Sequence, residues 1–213
     1  MAADDLARRQ QPGEPVLGWR LWRLRDGALQ SCAVGYIWRP GDNQATCLAP
    51  RACSHPPGRG CACGLWALFS LLGCLDRARA DRRERAWVPG LIRAWGDVAL
   101  HGREGFRAEH ASVACLFTDW PWESSLRQRA GKISAYWRRM LERVGCTFEP
   151  VSPEPGREES LVRAADEYGV PLLSLRDALS CGLLQELGLG EAERREAALW
   201  VSHTRPPWLR QSV

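Results

Sequence analysis

The chain has 213 residues, a net charge of +4 from 29 basic against 25 acidic residues, and 45% apolar residues. That is enough apolar material for one core of ordinary size, and it excludes both a low-hydrophobicity disordered chain and a highly charged tail protein. No run of about 18 apolar residues marks a membrane span.

Residues 1–15 hold no apolar stretch, so a disordered tail is expected there and a signal peptide is not. A cytoplasmic location follows as an expectation. The nine cysteines would then be reduced, as ligands, core residues or nucleophiles. From Val16 the residues Leu17, Trp19 and Leu21 alternate with small or polar ones. Trp22 and Leu24 then switch parity, which predicts a bulge or burial on both faces. Asp26-Gly27 predicts a turn between strands over about 17–24 and 28–37.

Beyond the turn at 38–42 and the loop discussed below, the apolar run after Gly64 followed by mixed charges predicts a helix over about 64–85. Trp87–Val98 reads as two short strands broken at Pro89-Gly90, or as one strand with a bulge at Gly96. A turn at 102–105 makes a second hairpin, and a further strand covers Glu109–Phe117. The period changes after Ser124. A helix is expected to about Val144, with Leu126, Ile133, Trp137, Met140, Leu141 and Val144 close to one face. Arg127, Arg129, Lys132, Arg138, Arg139 and Arg143 make its other face basic. A linker at 149–157 precedes helices over 158–168, 176–187 and 191–201, with a short strand within 169–175. The fold class is therefore α+β: a Trp-rich antiparallel β module over 16–122 with a Cys/His loop, and a helical region over 123–213. The eleven tryptophans serve as large core anchors, or alternatively as a stacking surface.

The loop is the richest stretch. Cys47–Gly64 reads C-L-A-P-R-A-C-S-H-P-P-G-R-G-C-A-C-G, too broken by proline and glycine for regular structure and too polar to be held by burial. Zn²⁺ takes four thiolate or imidazole ligands in a closed tetrahedron. Cys47, His55, Cys61 and Cys63 form the expected ligand set, spaced C-x7-H-x5-C-x-C, with Cys53 as a substitute for one of them. Two alternatives stand beside it. The thiols are simply packed in a loop, or Cys61 or Cys63 is a reactive nucleophile near a helix start, with His101 or His110 as its base. A second dense block offers His101, Arg107, Glu109 and His110 as a ligand-binding group, against the plainer reading of charges paired across a hairpin. The basic face over 127–143 suits nucleic-acid phosphates or ordinary solvent.

The segments G-W-R-L-W at 18–22, W-R-P-G at 38–41, C-A-C-G-L-W-A at 61–67, W-G-D-V at 95–98 and G-F-R-A-E at 105–109 resemble a family of uncharacterised bacterial proteins frequent in actinobacteria. The resemblance covers roughly 17–117. It implies that the first hairpin, the Cys/His loop and the second hairpin form one module, and it brings no activity. The leading functional expectation is a zinc-stabilised binding module, with nucleic acid as a ligand class. The alternatives are an enzyme using a cysteine nucleophile or an open catalytic zinc, and a protein-interaction accessory factor.

Overall fold

The computed structural model describes residues 14–32, 34–49, 52–58, 60–74, 87–118 and 156–203. The expected tail (nearly all of 1–15), the basic helix over 124–144 and most of the 149–157 linker lie outside these residues.

Strand β1 (Val16–Arg25) turns at Asp26-Gly27 into β2 (Ala28–Ser31). Both turn residues have positive φ, 51° and 85°, as a tight hairpin of this kind requires. Strand β3 (Asn43–Gln44) precedes the cysteine loop and β4 (Leu65–Leu68) follows it. The long strands β5 (Trp87–His101) and β6 (Gly105–Phe117) form the second hairpin. β1 pairs antiparallel with β5 from Val16↔Ala94 to Arg23↔Trp87, and β5 pairs with β6. The first residues of β6 pair with β4, and β4 returns to β1 at Trp19↔Leu68. The pairings β1–β5–β6–β4–β1 thus close into a ring, which leaves these strands fewer open edges. Gly18 shows how tight the ring is. A Cβ there would lie 2.6 Å from both Ala67 Cβ and Phe106 Cε1. The β5–β6 register shifts at Leu91/Ile92 and again between Trp95 and Val98, where Gly96 has φ 75°.

Burial explains the parity change in β1. Trp22 and Leu24 join one apolar cluster with Trp38, Ile92, Phe106 and Leu116, while Trp19 and Leu21 join another with Leu91, Cys115 and Phe117. The β1–β5 register runs through this region without a shift, so both faces are covered rather than bulged. The helices supply the covers. Helix α1 (Arg157–Tyr168) buries Leu161, Ala164, Ala165 and Tyr168, one face at helical spacing, in the first cluster. Strand β7 (Leu172–Leu173) adds parallel to the end of β6. Helices α2 (Leu175–Ser180), α3 (Leu183–Glu186) and α4 (Glu191–His203) bring Leu175, Ala178, Leu184 and Ala197 to the second cluster. The architecture is α+β.

Two expectations need correction. The apolar run after Gly64 is a strand at Leu65–Leu68 before helix begins at Leu71, because both of its edges are taken, by β6 and β1. The helix expected over 176–187 is two short ones, interrupted at Gly182 with φ 78°. Of the two readings offered for Trp87–Val98 the second holds: Trp87–His101 is a single strand through Pro89-Gly90, with a register shift at Gly96. Among the described residues no helix is long and apolar enough to cross a membrane.

Candidate metal centre

Both ends of the cysteine loop are stitched to one strand. β3 pairs with β6 at Asn43↔Ala111 and Gln44↔His110, and β4 pairs with β6 at residues 105–108. The loop therefore leaves and returns beside the same stretch of β6. Buried Asn43 shapes the turn that leads into it. Its Oδ1 accepts from the Arg39 N–H at 2.8 Å and its Nδ2 donates to the Arg39 carbonyl at 2.9 Å.

Within the loop, Cys47, Cys53, Cys61 and Cys63 converge, all half-buried, with their Sγ atoms within 4.8 Å of one another. Cys47 Sγ lies 3.6 Å from Cys61 Sγ, and Cys53 Sγ lies 3.2 Å from Cys63 Sγ. A disulfide needs about 2.05 Å, so these are four thiols. Tetrahedral thiolates at about 2.3 Å from a zinc ion would sit roughly 3.8 Å apart, close to the spacing found. Four cysteines in this arrangement could hold a metal ion. A backbone amide points at a sulfur, and another braces the turn beside it. The Gly58 N–H donates to Cys63 Sγ at 3.3 Å, and the Cys61 N–H donates to the Gly58 carbonyl at 3.2 Å. Gly58 is also where the loop has no room for a side chain, since a Cβ there would be 2.7 Å from Cys53 Sγ.

The fourth residue of the group is Cys53, and His55 stands outside it. His55 is exposed, and what it turns toward Cys53 Sγ is its carbonyl oxygen, at 3.9 Å. Without a cation the crowded thiols ionise unequally. Backbone N–H groups of Cys53 and Ala49 bring the Cys47 thiol down to about 6. The Cys63 sulfur beside it pushes Cys53 up to about 12. Cys61 feels a lowering N–H from Cys63, outweighed by the sulfurs of Cys63 and Cys47 and by burial, so its thiol moves up. The nucleophile reading loses its stated cause. Gly64 opens into a strand rather than a helix, so no helix N-terminus stands behind Cys61 or Cys63. Among the described residues no imidazole hydrogen-bonds any of the four sulfurs.

The block of His101, Arg107, Glu109 and His110 divides into two pairs. Arg107, 6% exposed, reaches under the loop. Its Nη1 donates to the carbonyls of Cys61 and of Cys63, the latter at 2.9 Å, and its Nε donates to His101 Nε2 at 2.6 Å. Trp66 stacks on His101 with ring centres 4.6 Å apart, and its Nε1 donates to the Ala62 carbonyl at 3.0 Å. The other pair sits by β3. His110 Nδ1 meets the Asp42 carboxylate at 3.1 Å, its Nε2 lies 3.6 Å from Glu109, and its ring stacks on Trp95. Glu109 also accepts from the Asp97 N–H in the β5 bulge at 3.2 Å. The basic residues over 127–143 lie outside the described residues. Comparison with family models, curated proteins and solved structures returns no match.

Proposed function

We propose that this protein is a binding module whose loop over residues 47–64 is locked by a structural zinc ion on Cys47, Cys53, Cys61 and Cys63. The single observation that carries the reading is the convergence of four sulfurs within 4.8 Å in a segment whose described residues bury no large apolar side chain. Four protein sulfurs fill a tetrahedral site, so no position is left for water or substrate, which favours a structural ion over a catalytic one. The same count weighs against an enzyme with a free thiolate, because a bound zinc occupies every thiol in the cluster. The partner class we propose is nucleic acid, supported by a basic excess that is almost entirely arginine, the residue whose planar fork suits phosphate.

Elemental mass spectrometry on untagged protein purified under reducing conditions tests the zinc. About one zinc per chain is expected, lost in Cys53→Ser and Cys63→Ser and kept in His55→Ala. Reduced protein with no metal, or a His55→Ala variant that loses zinc as the cysteine variants do, would overturn the ligand set. Titration of zinc-loaded protein with a labelled oligonucleotide tests the partner. Affinity that falls as salt rises is expected. The absence of binding at low salt would turn the search to protein partners.

A further inference from the structure

Arg107, the third residue of β6, is almost out of solvent, yet every partner it has among the described residues is neutral. They are the two carbonyls of the C-x-C segment, the His101 imidazole, and the Trp66 ring, whose centre is 5.4 Å from Cζ. A guanidinium is always protonated, and a charge taken out of water without a counter-charge is strongly unfavourable. The two carbonyls belong to two of the four cysteines of the cluster. Four thiolates around a divalent ion carry a net double negative charge.

We infer that Arg107, held by His101 and Trp66, is the counter-charge and positioning residue of the metal centre. This rests on the zinc reading above. Two physical tasks fall to one side chain. The guanidinium fixes the C-x-C backbone, because its Nη1 takes both carbonyls. Those carbonyls flank Ala62, so their direction sets where the two sulfurs can go. The positive charge then offsets the anionic metal–thiolate group through the same short path. His101 keeps the guanidinium plane in register by accepting from Nε, and Trp66 closes the clamp by stacking on His101 and bonding the Ala62 carbonyl. Gly64 allows the close approach. It has φ 123°, and a Cβ there would come within 2.9 Å of Arg107 Cβ.

Zinc affinity measured by competition with a chromogenic chelator separates these tasks. Partners that orient ligands are typically worth about 10- to 100-fold in metal affinity. Arg107→Gln, which loses charge and fork, is expected to weaken zinc binding by about that factor. Arg107→Lys keeps the charge and should recover part of it. Cobalt substituted for zinc should give the same four-sulfur tetrahedral absorption in both variants, because the ligands are unchanged. Affinity within about threefold of the parent in Arg107→Gln would overturn the inference, as would equal losses in the Gln and Lys variants. If Arg107→Gln does not fold, His101→Ala is the second probe. It leaves all four sulfurs and the arginine in place and should weaken zinc by up to about 10-fold, and an unchanged affinity would count against the clamp. A parent protein that binds no zinc would instead strike at the zinc reading.

Discussion

The sheet with its helices and the cysteine loop are held by different physics. Around the ring the anchors are fully buried side chains. Trp22 is 0% exposed and meets Trp38 edge-on at 5.4 Å, while α1 seals one face and α2–α4 the other. Among the described residues of the loop no large apolar side chain is buried. Leu48, next to Cys47, is 70% exposed, and what converges is sulfur, backbone amide and one arginine. Burial is set by the chain alone, so the first region needs nothing added. On the zinc reading proposed above, the second would take its stability from an ion, and its free energy would be linked to metal concentration. On that reading the loop is where metal supply would change the molecule while the scaffold stays as it is.

The largest effect should come from the core. Trp22→Ala removes an indole that also packs on Gly90, where an added Cβ would be 2.8 Å from the ring. A loss of about 3–5 kcal/mol in unfolding free energy is expected. Chemical denaturation should show the same loss with zinc bound and after chelation, since Trp22 is no part of the site. A loss seen only in the zinc-loaded protein would join the two regions and break the contrast.

A smaller change tests how α1 is fastened to the sheet. Tyr168 Oη donates to the Trp38 carbonyl at 2.6 Å and accepts from the Leu29 N–H at 3.2 Å. Tyr168→Phe leaves two buried backbone groups without that partner, which should cost about 1–3 kcal/mol. Burial raises the Tyr168 phenol above its ordinary value. A group raised in the folded state gives its stability in full below the unfolded value of about 10 and loses it as pH climbs through the folded one. Stability curves of parent and variant should therefore run parallel at neutral pH and converge in alkali. A gap that instead widens above pH 10 would show that the phenol is not held neutral by its site.

How much of this could be read beforehand follows the same division. The first hairpin was legible because Asp26-Gly27 is a turn signal with a local cause, and the parity change in β1 narrowed the choice to a bulge or burial on both faces, which the unbroken register with β5 settles as burial. The strand at Leu65–Leu68 was not. A short apolar run suits a buried strand and a buried helix equally, and only the ring closure, set by residues far along the chain, decides between them. The break at Gly182 was a glycine inside a helical pattern, a signal present but too weak to place. In the loop, composition pointed to a metal, and the spacing led to His55 as the fourth ligand with Cys53 only as a substitute, whereas the structure groups Cys53 with the other three cysteines. The choice turns on Gly58, whose missing side chain lets the Cys53 sulfur in while the His55 ring stays outside. The soft character of a group otherwise made of thiolates was the signal that favoured a fourth sulfur. The place of Arg107 was beyond reach, since its bonds to Cys61 and Cys63 span 46 and 44 residues.

The most local prediction sharpens how the four thiols of the loop behave with no ion bound. Backbone amides from Cys53 and Ala49 bring the Cys47 thiol down to about 6, whereas Cys53 is pushed up to about 12 by the sulfur of Cys63. Thiolate is the nucleophile, so in chelated, reduced protein at pH 7 iodoacetamide should label Cys47 first, with a rate that rises as pH passes through about 6. Cys53 should lag until strong alkali. Peptide mapping of the alkylated sites against time reads both rates. With zinc added, the zinc reading expects all four to be protected together, because one ion would take every thiol at once. If Cys47 stayed reactive in the loaded protein while the other three were shielded, the loop would hold its metal with three sulfurs and an open position, and the centre would have to be read as chemistry rather than as scaffold.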